Sequence, residues 1–191
     1  MADFSVISDV SKTLRERLDI ALDVMSPTPD VLIHDLVGIP GQQPALTLFL
    51  YEIAEDASVR NRPRVRTSAP PDVILRKPPL ALKLKYLVTP WSSSRETEQE
   101  MLGRVMQVLY DGAVLTGSDL QGDLANTSTS LKVTLAGLDL EERTRIWHAV
   151  QLEYRLSVNY EVSVVNLASR DQRTVRAVAE RVLDAAVGED A

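Results

Sequence analysis

The chain has 191 residues, a formal net charge of −6, 45% hydrophobic and 25% charged residues, and no cysteine. That length suits one domain with a sizeable core, or a domain with an appendage, and the composition is that of a globular protein. The missing cysteines exclude disulfides and thiolate metal sites and fit a cytosolic origin, and no apolar run approaches the roughly 18–20 residues that span a bilayer.

The first stretch, "MADFSVISDVSKTL", has no basic segment followed by an apolar core, so a secretory leader is not expected. Within residues 5–25, Ile7, Val10, Leu14, Leu18, Ala21 and Met25 recur at steps of three and four. That spacing predicts an amphipathic helix, stopped by Pro27 and Pro29. "VLIHDLVG" (31–38) reads as a short strand and "GIPGQQP" as a turn. "ALTLFLYEI" (45–53) is apolar on both faces, as in a covered central strand.

A segment of about eighteen residues without a period follows, which is long for an unstructured loop. Leu80, Leu82, Leu84, Tyr86 and Val88 then alternate with Ala81, Lys83, Lys85 and Leu87. This predicts a strand with one apolar face and one lysine-bearing face. Serines and acids ahead of Met101, Leu102, Val105, Val108 and Leu109 predict a second helix, ended at Asp111-Gly112. "LKVTLAG" (131–137) is a further strand. Asp139 and Glu142 form a capping-box pattern at the start of a short helix. Tyr154, Leu156, Val158, Tyr160 and Val162 alternate with Arg155, Ser157, Asn159 and Glu161, predicting a long strand. The first set is expected to face the helices, as are Leu80, Leu82 and Leu84. Residues 174–186 carry a helical pattern.

Helices and strands do not alternate as regular βαβ units. The expected class is α+β, with a mostly antiparallel, mixed sheet and helices packed on it. The expected division is a domain over 1–168 and a helical tail over 169–191.

Candidate chemistry is sparse. His34 and His148 have no second histidine at helical metal spacing, so each is read as structural. Glu141 and Glu142 are helix neighbours about 100° apart, better placed for a helix start than for paired acid–base work. "GIPGQQP" lacks the lysine of a phosphate loop, and no serine lies in a nucleophile elbow. An enzyme is not expected, nor is a cofactor or metal.

Charge is the unusual feature. Between Arg60 and Lys85 eight basic residues face one acid, Asp72, so that segment is +7 and the remainder −13. "RNRPRVR" places Arg60, Arg62, Arg64 and Arg66 on alternate positions, where an extended chain would present them on one side. Such a ladder reads as a solvated loop or as an interface arm seeking carboxylates on a neighbour. Nucleic acid is a poorer fit, because the chain is acidic overall and no aromatics interleave with the arginines.

Taken in order, "LFLYEI", an Asn-Arg loop, "PPLALKLKYLVTPW", "EQEMLGRVMQVLYD", "LKVTLAGLDLEERTRIWHAV" and "YRLSVNYEVSVV" resemble the cap, or tail-terminator, family of phage-tail-like contractile injection systems. The similarity is to the antifeeding-prophage and virulence-cassette type, over residues 5–168. It implies a structural protein in a six-fold ring that closes the baseplate-distal end of tube and sheath. Tube and sheath proteins and further copies of the chain would be its partners, with assembly in the cytoplasm into a particle retained or released. Interface residues would be Arg60, Arg62, Arg64, Arg66, Lys83, Lys85 and Trp91. A tail-completion protein of a contractile prophage, and a nucleic-acid module using Arg60–Arg66, are the competing readings.

Overall fold

The computed structural model describes residues 4–38, 44–69, 72–125 and 127–176. Three helices are described, α1 (Val6–Leu22), α2 (Arg95–Asp111) and α3 (Leu140–Ala149). Nine strands accompany them: β1 (Asp30–Ile33), β2 (Ala45–Glu55), β3 (Val65–Ala69), β4 (Asp72–Arg76), β5 (Leu80–Trp91), β6 (Val114–Thr116), β7 (Ser130–Leu135), β8 (Val158–Leu167) and β9 (Gln172–Arg176). The chain divides into two compact units. The first takes residues 1–61 and 79–168, and the second takes 62–78 and 169–191.

The first unit holds a six-stranded sheet in the order β1-β2-β5-β8-β7-β6. Among the described residues only the β1–β2 pair is parallel, so the sheet is mixed and mostly antiparallel. The spacing of α1 delivers Val6, Val10, Leu14, Leu18 and Leu22 to one face, all buried. They join Val105 and Leu109 of α2 over Leu46 and Leu48 of β2, Leu82, Leu84, Tyr86 and Val88 of β5, and Tyr160 and Val162 of β8. The Tyr86 hydroxyl is buried in this core and shares a 2.8 Å hydrogen bond with Ser11 Oγ of α1. Desolvation raises its pKa to about 12.

The other face of the same sheet is covered only in part. Trp147 of α3, Leu36 and Leu87 form a second cluster, with Phe49, Tyr51, Trp91, Ile146 and Val150 packed around them. Helix α3 starts with the expected capping box. The Asp139 carboxylate accepts from the Glu142 amide at 2.7 Å, and Glu142 accepts from the Asp139 amide at 3.1 Å.

Two register shifts shape the sheet. One extra residue at Leu50/Glu52 in β2 puts Glu52, rather than Tyr51, opposite Lys85. A second shift, at Leu82/Leu84 of β5, gives β8 an extra residue opposite Lys83. Helix α1 is also tied to the turns after β6. Asp9, 2% exposed, accepts from the Asp123 amide at 3.0 Å and from Lys12 Nζ at 2.9 Å, and Thr13 Oγ1 accepts from the Gln121 amide. Gly122 adopts φ +63°, and a Cβ there would lie 2.3 Å from Asp9 Oδ1.

The second unit contains a three-stranded antiparallel sheet, β3-β4-β9. It occupies much of the segment that the sequence reads as a loop, and Gln172–Arg176 is a strand where the pattern predicts a helix from Thr174. Thr174 and Arg176 are held extended by pairing with Ile74 and Asp72 of β4. The rest of the expected tail helix lies outside the described residues, as do residues 39–43 of the "GIPGQQP" turn. The first unit releases 62–78 to the second, so the expected continuous 1–168 domain is interrupted there.

Expected core positions divide. Leu82, Leu84, Tyr160 and Val162 are buried, while Val158 is half-buried against the core. Leu80, Tyr154 and Leu156 are 43%, 44% and 45% exposed, contrary to expectation. Leu80 sits at the outer end of β5. Tyr154 and Leu156 precede β8 in an irregular segment, where the Arg155 side chain between them turns to Glu98 and Trp91.

These placements give two expectations for urea denaturation. Leu84→Ala should cost about 2–5 kcal/mol, as a cavity in a closed core does, whereas Leu80→Ala should stay within about 0.5 kcal/mol. Gly122→Ala should cost about 1–3 kcal/mol, from the left-handed backbone and the displaced Asp9 carboxylate. An unchanged midpoint for Leu84→Ala or Gly122→Ala would contradict the packing described.

Candidate interface

Lys83 and Lys85 of β5 project from the face opposite the main core. Lys85 Nζ lies 2.9 Å from Glu52, the partner that the β2 bulge delivers, and Lys83 Nζ lies 3.0 Å from Glu161 of β8. The hydrogen bond and the charge of Glu161 raise the pKa of Lys83. Both lysines are therefore half-exposed members of cross-strand ion pairs within the chain.

Trp91 closes the same strand but is no open platform. Its Nε1–H donates to Thr47 Oγ1 at 2.9 Å, and its ring meets Trp147 edge-on with centroids 6.3 Å apart. The Arg155 guanidinium lies over it, 4.4 Å from the ring centroid. Arg155 also donates to the buried carboxylate of Glu98, which takes a 2.7 Å bond from Arg95 and a 3.2 Å bond from the Ser92 amide. Arg155, Glu98 and Trp147 carry no motif in the sequence. The Arg155–Glu98 contact joins residues 57 positions apart in the chain, which spacing alone does not register.

Burial works against ionisation of Glu98, but the bonds from Arg95, the Ser92 amide and Arg155 outweigh it and hold its pKa below the ordinary 4.5. A carboxylate depressed in the folded state stabilises the fold above about pH 4.5, and that contribution is lost as pH falls through its folded value. Glu98→Gln should then lower stability by about 1–3 kcal/mol at pH 7. The gap to the native chain should narrow as pH falls below about 4.5 in acid-titrated thermal melts. A pH-independent gap would contradict this assignment.

The four arginines do not form one ladder. A 3-10 turn at Ala57–Val59 interrupts the extended run, and Arg60 follows it in helical conformation, paired with Glu55 at 2.8 Å. Arg62 and Arg64 are exposed in the second unit, and Arg64 pairs with Asp171 at 3.0 Å. Arg66 lies in β3, opposite Leu75. On the far side of Leu75 stands Arg173 of β9. The sequence reading missed this arginine, although "RDQRTVR" is itself extended and basic.

Among the described residues no group of three His, Cys, Asp or Glu side chains could hold a metal ion. His34 Nδ1 accepts from the Leu36 amide at 3.0 Å, and His148 is exposed near the end of α3. An apolar cleft of about 590 Å³ lies between α2 and β7, lined by Met106, Leu109, Tyr110, Val133, Leu135 and Tyr160. No helix among the described residues is long and apolar enough to cross a membrane.

The family model for the Pvc16 N-terminal domain matches residues 9–181. The fold is similar to that of the sheath/tube terminator of an extracellular contractile injection system, PVC, in its extended state, with a TM-score of 0.67 and 19% identity over 100% of this chain and 66% of that one. It is also similar to the anti-feeding prophage cap, a tube-terminating cap, with a TM-score of 0.64 and 19% identity over 97% of this chain and 62% of that one. The chain thus spans about two thirds of the length of these structures. No match is found among curated proteins.

Proposed function

The chain belongs to the Pvc16 N-terminal domain family, and we propose that it is a cap subunit, closing the baseplate-distal end of the tube and sheath of a contractile injection particle. The observation that carries this reading is the likeness of fold along the whole chain to a sheath/tube terminator and a tube-terminating cap. Its role is structural. Its partners are further copies of itself in a ring, six in number, and the tube and sheath proteins of the same particle. Assembly takes place in the cytoplasm.

The physical features agree with such a role. A ring subunit must transmit load without deforming, and a sheet packed by α1 and α2 on one face and pinned by α3 on the other is stiff. A closed ring presents each neighbour with a heterologous surface. The acidic bulk of the chain and its basic second unit are complementary in sign.

Light scattering of the purified protein, alone and with polymerised tubes, checks this. A ring of six, formed alone or on tube ends and weakened by rising salt, is the expected outcome. A monomer at all concentrations that never sediments with tubes or sheaths would overturn it.

A further inference from the structure

The second unit has a chemistry of its own. Its described residues, 62–69, 72–78 and 169–176, contain seven arginines and one lysine against Asp72 and Asp171, a net charge of +6 in a chain of −6. None of residues 62–68, 72–78 and 169–176 is buried. A three-stranded sheet of five-residue strands needs an apolar face to be stable in water. Here Val73, Ile74 and Leu75 of the central strand are only half-buried, and Val65, Arg66, Thr67 and Ser68 of β3 are exposed.

The edges are equally unusual. β3 pairs with β4 through five consecutive residues without a register shift, and β9 pairs with the other side of β4 in the same way. Among the described residues β3 has no second neighbour. Its run "VRTSA" contains no proline and no bulge, so it presents a straight row of amides and carbonyls. Directly opposed residues project to the same face. Arg66, Leu75 and Arg173 therefore make one row, a guanidinium on either side of an aliphatic centre. Among the described residues no ion pair engages Arg62, Arg66 or Arg173.

We propose that β3 takes up an extended acidic segment of a partner protein as a fourth strand. Backbone hydrogen bonds to the free side of β3 would supply affinity, and carboxylates at alternate positions would meet Arg66 and the preceding Arg62. Guanidinium groups suit this task because they bind carboxylates through two parallel bonds. The residues favour a protein strand over nucleic acid. The described part of the unit contains no aromatic side chain on which a base could stack. The inference goes beyond the cap reading and holds whether or not the chain closes a tube.

The test uses the full chain and fluorescent synthetic peptides of about eight residues, a strand's length. The probe alternates glutamate and threonine. Two further versions are N-methylated at the odd or the even amides. A helix-forming glutamate–alanine peptide of equal charge and an oligothymidine complete the set. Anisotropy at near-physiological salt should show binding of the alternating peptide. One N-methylated version should lose it and the other retain it, since only every second amide faces β3. Arg66→Glu should weaken binding about tenfold or more, with circular dichroism unchanged. The N-methyl comparison stands even if that variant misfolds. Absence of binding would mean that the arginines only keep the edge from aggregating, and would overturn the proposal. So would equal loss, or no loss, in both methylated versions, equal binding of the helical peptide, or oligothymidine binding more tightly than the peptide.

Discussion

The stripe Leu82, Leu84, Tyr86 and Val88 on β5, buried beneath α1 and α2, is the constraint on which the first unit depends. β5 is central, hydrogen-bonded to β2 on one side and β8 on the other, so its register fixes theirs. A one-residue slip would exchange the leucines with Lys83 and Lys85 and place two ammonium groups under α1. The two bulges are consistent with that requirement. They let β2 and β8 change register locally, while the leucine stripe stays inward and Glu52 and Glu161 arrive beside the lysines.

Polar groups inside the first unit act as positioning devices. Asp9 and Thr13 receive the amides of residues 121 and 123, holding the turns after β6 to α1. Glu98 gathers Ser92, Arg95 and Arg155, and through Arg155 it is linked to Trp91 and Trp147. The entrance to α2, the end of β5 and the segment before β8 are thereby fixed to one another. In the second unit no described side chain is buried, and its charge is concentrated. The first unit is held by a closed core, whereas the second is half-polar and strongly basic.

Sequence patterning was most informative where one face is buried. The steps of α1 find Val10, Leu14, Leu18 and Ala21, and the alternation of β5 finds Leu82 and Leu84, because burial of one face leaves a clear period; Ile7 and Met25 are only partly buried and Leu80 is exposed. Asp139 and Glu142 mark α3 through local capping chemistry. The pattern failed where tertiary contacts decide. Tyr154 and Leu156 continue the alternation of β8 but leave the sheet, since Arg155 is committed to Glu98, far away in sequence. β3 and β4 are short and half-polar, so their period is weak, and β9 mimics the start of a helix until its pairing with β4 is known. Of the seven residues singled out, Lys83, Lys85, Arg60 and Arg64 each have a carboxylate partner within the chain, and Trp91 is an internal anchor. A sequence shows that a residue is charged, but not which partner it has already found.

The capping role is tested most directly by electron microscopy of particles from cells carrying an epitope-tagged copy of this chain, compared with cells lacking it. The tag should appear at one end only, opposite the baseplate, and particles made without the chain should have open or irregular ends there. Particles with normal ends in its absence, or a tag spread along their length, would contradict a cap.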